Sequence, residues 1–396
     1  MDNLSKGTLS SKVHLGSGAA LEHSVLFQPY QLGKLRLSNR VVMAPMARER
    51  APGGVMGMEN AGYYRRRAEA GVGLLISEGT WIDHPVASDR VAVPRFYGAD
   101  ALAGWRSVLH EVHAAGGRIF PQLHHVGALR RPGQNAWNPE MPPLGPSGLG
   151  FPEAGSRRTD QVGPPMTRED IASVVRAFGK AAADAFEIGF DGVEIHGAHG
   201  YLIDQFFWDR TNRRTDEYGG GIRERTRLAT EVIRECRRCT SPDFPISFRF
   251  SQWKQADYEA RLANDPFEFE TFLLPLVEAG VDIFHCSTRR YWESAFAGSP
   301  LTLAGWTRKI TDKTTIAVGS VGLDRAHETK GLEAQARYEA RPASLERLLE
   351  MLDRKEFDLA AVGRAILIDP AWVHKVRVGA FDELRPYSTE LRNIMY

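Results

Sequence analysis

Short apolar runs rich in β-branched residues alternate eight times with longer amphipathic runs, and this rhythm constrains the fold of the chain more than any other feature. The short runs predict strands at 40–44 (closed by Pro45), 74–77, 118–123, 193–196, 246–250, 283–286, 315–318 and 359–362. Helices are predicted over 59–70, 101–115, 167–188, 223–238, 267–279, 301–311, 344–354 and 370–378. Gly71, Gly116 and Gly280 stand where helices end, and Thr167 with Asp170 reads as an approximate capping box. Each crossover is long enough for parallel pairing, and near-continuous apolar strands belong to sheets covered on both faces. A doubly wound sheet and a closed barrel both meet these demands, but eight units in one chain favour an α/β fold of the (β/α)8 TIM-barrel type. A hairpin over 26–37, turning near Gly33 and Lys34, precedes the first strand. Pro121 restricts where the third strand can lie.

A length of 396 residues would by itself imply two or three domains. The eightfold rhythm instead predicts one barrel over 25–380, with a mobile leader at 1–24 and a C-terminal tail at 381–396. A formal net charge of +1 offers no electrostatic case for nucleic acid or an anionic membrane. No apolar run is long enough to span a bilayer, and residues 1–24 lack the apolar core of a signal peptide, so a cytoplasmic protein is expected. Three cysteines are too few for a disulfide framework, and Cys236 and Cys239 fall at the end of a charged helix. The Pro- and Gly-dense 127–165 stretch reads as a long excursion, and the polar 324–343 insertion is placed at the top face after the seventh strand.

Chemistry gathers in GVEIHGAHGYLIDQFFWDRTNRRTDEY (192–218), where a buried strand breaks at Gly197 and sets His196, His199 and Tyr201 close together. The carboxyl ends of strands are where such barrels keep their active sites. The two histidines could hold a substrate oxygen or, at this spacing, a metal; Tyr201 could supply a proton or simply pack. No G-x-G-x-x-G follows a strand, which disfavours a Rossmann site. Glycines instead mark the last two strand ends, VGSVG (318–322) and VGRAILIDP (362–370). These are either tight turns or a phosphate site completed by Arg364. Gln122 offers a paired donor and acceptor for a pyrimidine edge. Arg249, in an otherwise apolar strand, meets either a ligand that accumulates negative charge or a distant glutamate.

Taken together, NRVVMAPMARER (39–50), EGT (78–80), IHGAHGYLIDQFFWDRTNRRTDEYGG (195–220), FRFSQW (248–253) and the two late glycine loops resemble the Old Yellow Enzyme family of FMN-dependent ene-reductases, 12-oxophytodienoate reductases included. The resemblance spans about 25–380. It implies a barrel that holds FMN non-covalently, is reduced by NADPH or NADH, and is reoxidised by a small-molecule enone or nitro compound. Pro45, Met46, Ala47 and Gly79 then correspond to flavin-ring contacts, Gln122 to the pyrimidine partner and Arg249 to the cation beside N1 and O2. Gly319, Ser320, Gly363 and Arg364 correspond to the phosphate cradle. His196 and His199 correspond to the pair on the substrate oxygen, and Tyr201 to the proton donor.

Departures from the family pattern are Ala47, where Thr or Cys is usual, and His124, where some members carry tryptophan. Loss of the Ala47 side-chain contact implies a more negative flavin potential than an Ala47→Thr variant would have. Trp253, Tyr291 and Trp292 are candidate aromatic walls. Two alternatives remain: a flavin-binding barrel with little turnover, and a dienoyl-CoA-reductase-like enzyme without the iron–sulfur cluster, for which three scattered cysteines are too few. A homo-oligomer is compatible with all of these readings.

Overall fold

Eight parallel strands close into a barrel in the computed structural model, which describes residues 20–131, 133, 136–151, 158–326 and 338–396. In chain order they are β1 (Val41–Met43), β2 (Leu74–Trp81), β3 (Ile119–His124), β4 (Val193–His196), β5 (Ile246–Ser251), β6 (Ile283–Ser287), β7 (Thr314–Val318) and β8 (Leu359–Val362). Each pairs with its sequence neighbours, and β8 closes on β1 through Ala360↔Val41. Every crossover carries a helix, the longest being Arg168–Ile188. Thr167 accepts the Asp170 N–H at its start, and Gly189 closes it in the left-handed region. The Arg168–Ile188 and Arg227–Arg238 helices pack side by side on the outside of the barrel.

Side chains alternate across each strand, and this period of two sorts the chain into an outer and an inner core. Val41, Leu75, Ile195, Phe248, Phe250, Phe284 and Ala317 face the helices. Val42, Leu74, Ile76, Phe120, Ile283, Ile316 and Leu359 face inward and fill the lower barrel. Leu35 and Leu37 join this inner cluster from the hairpin of Tyr30–Leu32 and Leu35–Leu37, which plugs the bottom. Higher up the same inward register turns polar: Gln122 and His124 on β3, Glu194 and His196 on β4, Ser247, Arg249 and Ser251 on β5, His285 and Ser287 on β6. All of these are buried.

Where β2 meets β3, the pairing shifts between Ile76 and Gly79. Pro121 has no N–H to give the ladder, and the bulge at Ser77 and Glu78 absorbs the mismatch. The Ser77 hydroxyl accepts the next amide, Gln122 N–H, at 3.1 Å. β2 therefore continues to Trp81, four residues past its predicted end. Two short helices, Leu202–Phe207 and Arg364–Ile368, were not legible in the periodicity.

Of the expected leader, 1–19 lie outside the described residues, and Leu21 N–H donates to Arg377 O at 3.0 Å. Residues 152–157 of the Pro/Gly-rich excursion and 327–337 of the late insertion also lie outside them. The described ends of that insertion include Glu339–Ala340, which pairs with Tyr387–Ser388 of the tail. The tail is tied further back: Arg48 donates through Nη2 to Arg392 O (2.6 Å) and Ile394 O (3.0 Å). Among the described residues no helix is long and apolar enough to cross a membrane.

Candidate active site

A cavity of about 390 Å³ opens over the carboxyl ends of the strands, within the size range of cofactor sites. Pro45, Met46, Ala47, Gly319, Ser320, Gly363 and Arg364 line it, with Gly363 beside Met46, and Arg249 rises from the barrel interior. Gly319 and Ser320 have φ of 138° and 57°, and Gly363 would meet nothing closer than 3.6 Å with an added Cβ. Backbone can therefore approach a ligand closely after β7 and β8. Arg364 donates to the Ser320 hydroxyl at 3.3 Å and to Tyr338 Oη at 2.8 Å.

The Arg249 guanidinium is buried, and its Nε has no hydrogen-bond partner among the described residues. Among the described residues Arg249 forms no ion pair with a glutamate; Glu194, on the adjacent strand, acts on it through charge alone. Its fully buried carboxylate accepts from Gln122 Nε2 (2.8 Å), Ser247 Oγ (2.9 Å) and His285 Nδ1 (2.8 Å). Burial pushes this carboxyl up, but His285, Arg249 and Gln122 outweigh it and hold the group below its usual range. Burial drives His285 the other way, toward neutrality. Glu194 ionised and His285 neutral is the consistent assignment, because a second proton on His285 would sit on Nε2, which has no partner. Glu194 also fixes the Gln122 amide: an acceptor-only carboxylate must face its NH2 group.

The loop after β4 is held in a conformation that few residues tolerate. His199 has φ of 66°, followed by Gly200 at 83°. His199 N–H donates to Ser251 Oγ (3.0 Å), Gln255 N–H to His199 O (3.3 Å), and Gly200 N–H to Asp204 Oδ2 (2.7 Å). Asp204 is itself locked by Lys254 in a wholly buried ion pair at 2.5 Å. A left-handed non-glycine held from so many directions points to a functional constraint.

This frame brings His124, His196, His199 and Tyr201 together; of these only His199 lines the cavity, and Gly79 and Gln122 do not line it either. The His196 ring lies 5.0 Å from that of His199 and 4.8 Å from that of Tyr201; His124 lies 5.6 Å from Tyr201 and 6.2 Å from His196. Burial pushes both His196 and His199 well below the ordinary imidazole range, and the Arg249 cation adds to the effect. Both are neutral, so each has one N–H, and the hydrogen bonds say where. Ala198 N–H donates to His196 Nδ1 at 3.3 Å, which leaves the proton on Nε2. His199 Nε2 lies 2.7 Å from Ser287 Oγ, which also receives Arg249 Nη2 at 3.4 Å. The serine oxygen has two lone pairs and one hydrogen, so beside an arginine that only donates it can still donate to His199 Nε2, the arrangement that places the His199 proton on Nδ1. Tyr201 is raised above its usual pKa by burial, partly offset by a 3.4 Å hydrogen bond from Gln255 Nε2. A neutral phenol is therefore present throughout the physiological range.

Trp253 lies stacked on His199, 4.6 Å away at 25°. The other two expected aromatic walls are not walls. Tyr291 is 5% exposed and packs on Trp292 and Phe357, and neither Tyr291 nor Trp292 lines the cavity. Tyr291 N–H donates to Gly319 O in the neighbouring loop at 3.1 Å, and the ring is buried in the core. Tyr258, Ser287 and Arg289, together with Tyr387 and Arg392 from the tail, line the cavity without having been anticipated. Ser287 shares the inward period with His285 and could have been found that way. The tail residues arrive through tertiary contact alone.

A closed barrel with a glycine-lined cradle after its last two strands, a buried cation on the floor and a neutral donor pair above defines a flavin-binding oxidoreductase barrel. The chain belongs to the NADH:flavin oxidoreductase / NADH oxidase family, the FMN-binding Old Yellow Enzyme group, whose model matches residues 25–383. It is 33% identical over 367 residues to an NADH oxidase of Thermoanaerobacter brockii, a match covering 91% of this chain but 52% of that one. The chain thus spans about half the length of that relative. It is also 33% identical to 12-oxophytodienoate reductase 2 of Arabidopsis thaliana over 72% of this chain and 80% of the relative. Among solved structures, morphinone reductase in complex with tetrahydroNAD superposes with a TM-score of 0.72 at 28% identity, covering 91% and 92% of the two chains. The old yellow enzyme homologue of Zymomonas mobilis superposes at 0.74 and 26%, covering 93% and 96%.

Proposed function

We propose that the protein is an FMN-dependent NAD(P)H oxidoreductase that reduces the activated C=C bond of α,β-unsaturated carbonyl or nitro compounds. FMN bound in the cavity would accept hydride from NADPH or NADH and pass it from N5 to the substrate β-carbon. Arg249, with its unpartnered Nε, offers a fixed positive charge to the pyrimidine side of the ring, and Gln122 an amide already oriented by Glu194. Gly319, Ser320, Gly363 and Arg364 would hold the phosphate, and Pro45, Met46 and Ala47, which line the cavity, would contact the ring, with Gly79 set behind them against His124 and Gln122.

The observation that carries the reading is the pair of preset donors beside a neutral phenol. His196 Nε2–H and His199 Nδ1–H stabilise charge that develops on the substrate oxygen, and one such donor is typically worth roughly 3–4 kcal/mol. Because the donors are neutral and buried, they need no reorganisation as the charge forms. Tyr201 then gives its proton to the α-carbon, and Gln255 donates to the phenolate left behind. General-acid steps of this kind contribute on the order of 10²–10⁴ in rate. His124 and Trp253 shape the pocket on either side of the histidine pair.

The test is a stopped-flow comparison of FMN-loaded wild type and Tyr201→Phe, each reduced anaerobically by NADPH and by NADH and then mixed with 2-cyclohexenone. Reduction should be unchanged and reoxidation slowed about 10²-fold or more. Equal reoxidation in the variant, or a wild type that no enone or nitroalkene reoxidises, would overturn the proposal.

A further inference from the structure

A second chamber of about 360 Å³ adjoins the first between the loops that follow β5 and β6. Trp253, Tyr258 and Arg289 line both chambers. They form a stack that begins at the active site: His199 on Trp253 at 4.6 Å, Trp253 edge-to-face on Tyr258 at 5.5 Å, and the Arg289 guanidinium over Tyr258 at 4.0 Å. A molecule whose reactive end meets His199 can therefore extend along this stack into the second chamber.

Its chemistry is that of a donor-rich pocket. Arg261 and Arg290 line this chamber and not the first. Trp253 Nε1–H is buried and has no acceptor among the described residues. A buried indole N–H without a partner is costly, and an anionic oxygen is the natural acceptor to meet it. Carboxylates are also present: Glu293 is engaged by Arg290 at 3.1 Å, and Glu259 stands at the exposed rim. Counting lining side chains, Arg261, Arg289 and Arg290 against Glu259 and Glu293 leave one positive charge in excess.

We propose that this chamber is a subsite for an anionic extension, a carboxylate or phosphate, of a molecule reacting at the histidine pair. The proposal rests on the function proposed above for that pair. Two reactants could carry such a group: the oxidant, as an acidic side chain, or the hydride donor, as its phosphates.

The experiment uses full-length FMN-loaded protein and an Arg261→Gln/Arg290→Gln double variant, whose changes lie outside the flavin and proton-transfer residues. The oxidant probes are a cyclohexenone bearing a carboxypropyl chain and its methyl ester. The donor probes are NADPH, NADH and dihydronicotinamide riboside, which carries no phosphate. Dissociation constants are read from the perturbation of the flavin spectrum on titration, the oxidants with the oxidised protein and the donors as tetrahydro analogues, so binding is measured even where no turnover occurs. Kinetics follow.

If the oxidant carries the anion, the free acid binds the wild type more tightly than the ester. The double variant then loses that preference by about tenfold or more, the scale of a charge-assisted hydrogen bond, while the ester and the donors are unaffected. If the donor carries it, the double variant weakens the dinucleotides by the same factor and leaves the riboside and both oxidants unaffected. Binding of every probe unchanged by the double substitution overturns the subsite. Failure of the underlying function shows differently: acid and ester would both bind without ever reoxidising the flavin.

Discussion

Ser287 sits at the end of β6, 2% exposed, with a hydroxyl that does two things at once: it accepts from Arg249 Nη2 and it faces His199 Nε2. Removing it should damage the reaction without touching substrate. At 2.7 Å the serine–histidine hydrogen bond is short and its partner is buried, so deleting one side leaves an unsatisfied nitrogen at a cost of about 1–3 kcal/mol. The 3.4 Å arginine contact adds little. Released from the serine, the His199 proton can sit on either nitrogen. Equal tautomer populations alone would lower the competent fraction only about twofold, while complete loss of the donor would cost on the order of 10²–10³. A ring that still stacks on Trp253 but has lost its hydrogen-bond anchor lies between these limits. The expected slowing is about tenfold, or roughly 1.4 kcal/mol.

The comparison that isolates the hydroxyl is Ser287→Thr against Ser287→Val, equal in volume and different only in the oxygen. Stopped-flow reoxidation of the reduced protein by 2-cyclohexenone should be close to wild type for the threonine variant and about tenfold slower for the valine variant. Nitrogen-15 spectra of histidine-labelled protein should show His199 protonated at Nδ1 in wild type and in the threonine variant, and mixed in the valine variant. If the two variants reoxidise at the same rate, or if wild-type His199 carries its proton on Nε2, the relay from Arg249 through Ser287 is wrong.

Two further outcomes follow from backbone and burial. At Gly319, φ of 138° and a would-be Cβ 2.6 Å from Thr288 O mean that Gly319→Ala should destabilise the flavin-free fold by about 1–3 kcal/mol. Gly363→Ala, with neighbours no closer than 3.6 Å, should leave that melting temperature unchanged and weaken FMN binding in a fluorescence titration. Similar melting shifts for the two would refute this division. Burial lowers His84 and His124 to about 4, and drives His125, His196 and His199 well below their ordinary value. Between about pH 6.5 and 4 the unfolded chain therefore binds more protons at these sites, and their stabilisation is lost as pH falls through that window. Glu78, raised to about 7 by burial, has the opposite sign: its contribution is lost as pH rises from about 4.5 to 7. His285 is lowered as well, and Asp204 and Asp358 are raised by burial, so six lowered histidines stand against three raised carboxyls and the melting temperature of flavin-free protein should rise from pH 4.5 to 6.5, more steeply in Glu78→Gln. A flat or falling profile would contradict these assignments.

The barrel was legible because its signals are local and repeated. Val41–Met43, Val193–His196 and Leu359–Val362 are apolar runs bounded by breakers, and strand length and order follow from them. Failures occur where one long-range contact overrides the local signal. β2 runs on to Trp81 because Pro121, forty residues later, demands a bulge opposite it. Leu202–Phe207 and Arg364–Ile368 are too short to show a helical period, yet the first positions Tyr201 and the second follows the phosphate-cradle glycine. Tyr291 and Trp292 look like site aromatics by proximity to β6, but Tyr291 is taken up by packing against Phe357 in the core, a long-range contact.

The polar interior was half legible. Sequence motifs singled out Gln122, His196 and Arg249, whereas the period of two along the strands also carries Glu194, His285 and Ser287 into the same barrel, and these tie the named residues to one another. Glu194 orients Gln122 and offsets Arg249, while Ser287 passes the arginine's donor direction on to His199. A barrel interior this polar cannot be explained by stability, since leucines at these positions would bury apolar area without leaving Arg249 Nε, His285 Nε2 and His124 Nε2 unpartnered. Hydrophobic layers fill the lower half of the same barrel without any such cost. The change from apolar to polar along one inward register therefore marks the height at which the fold stops serving its own packing and begins to serve a ligand.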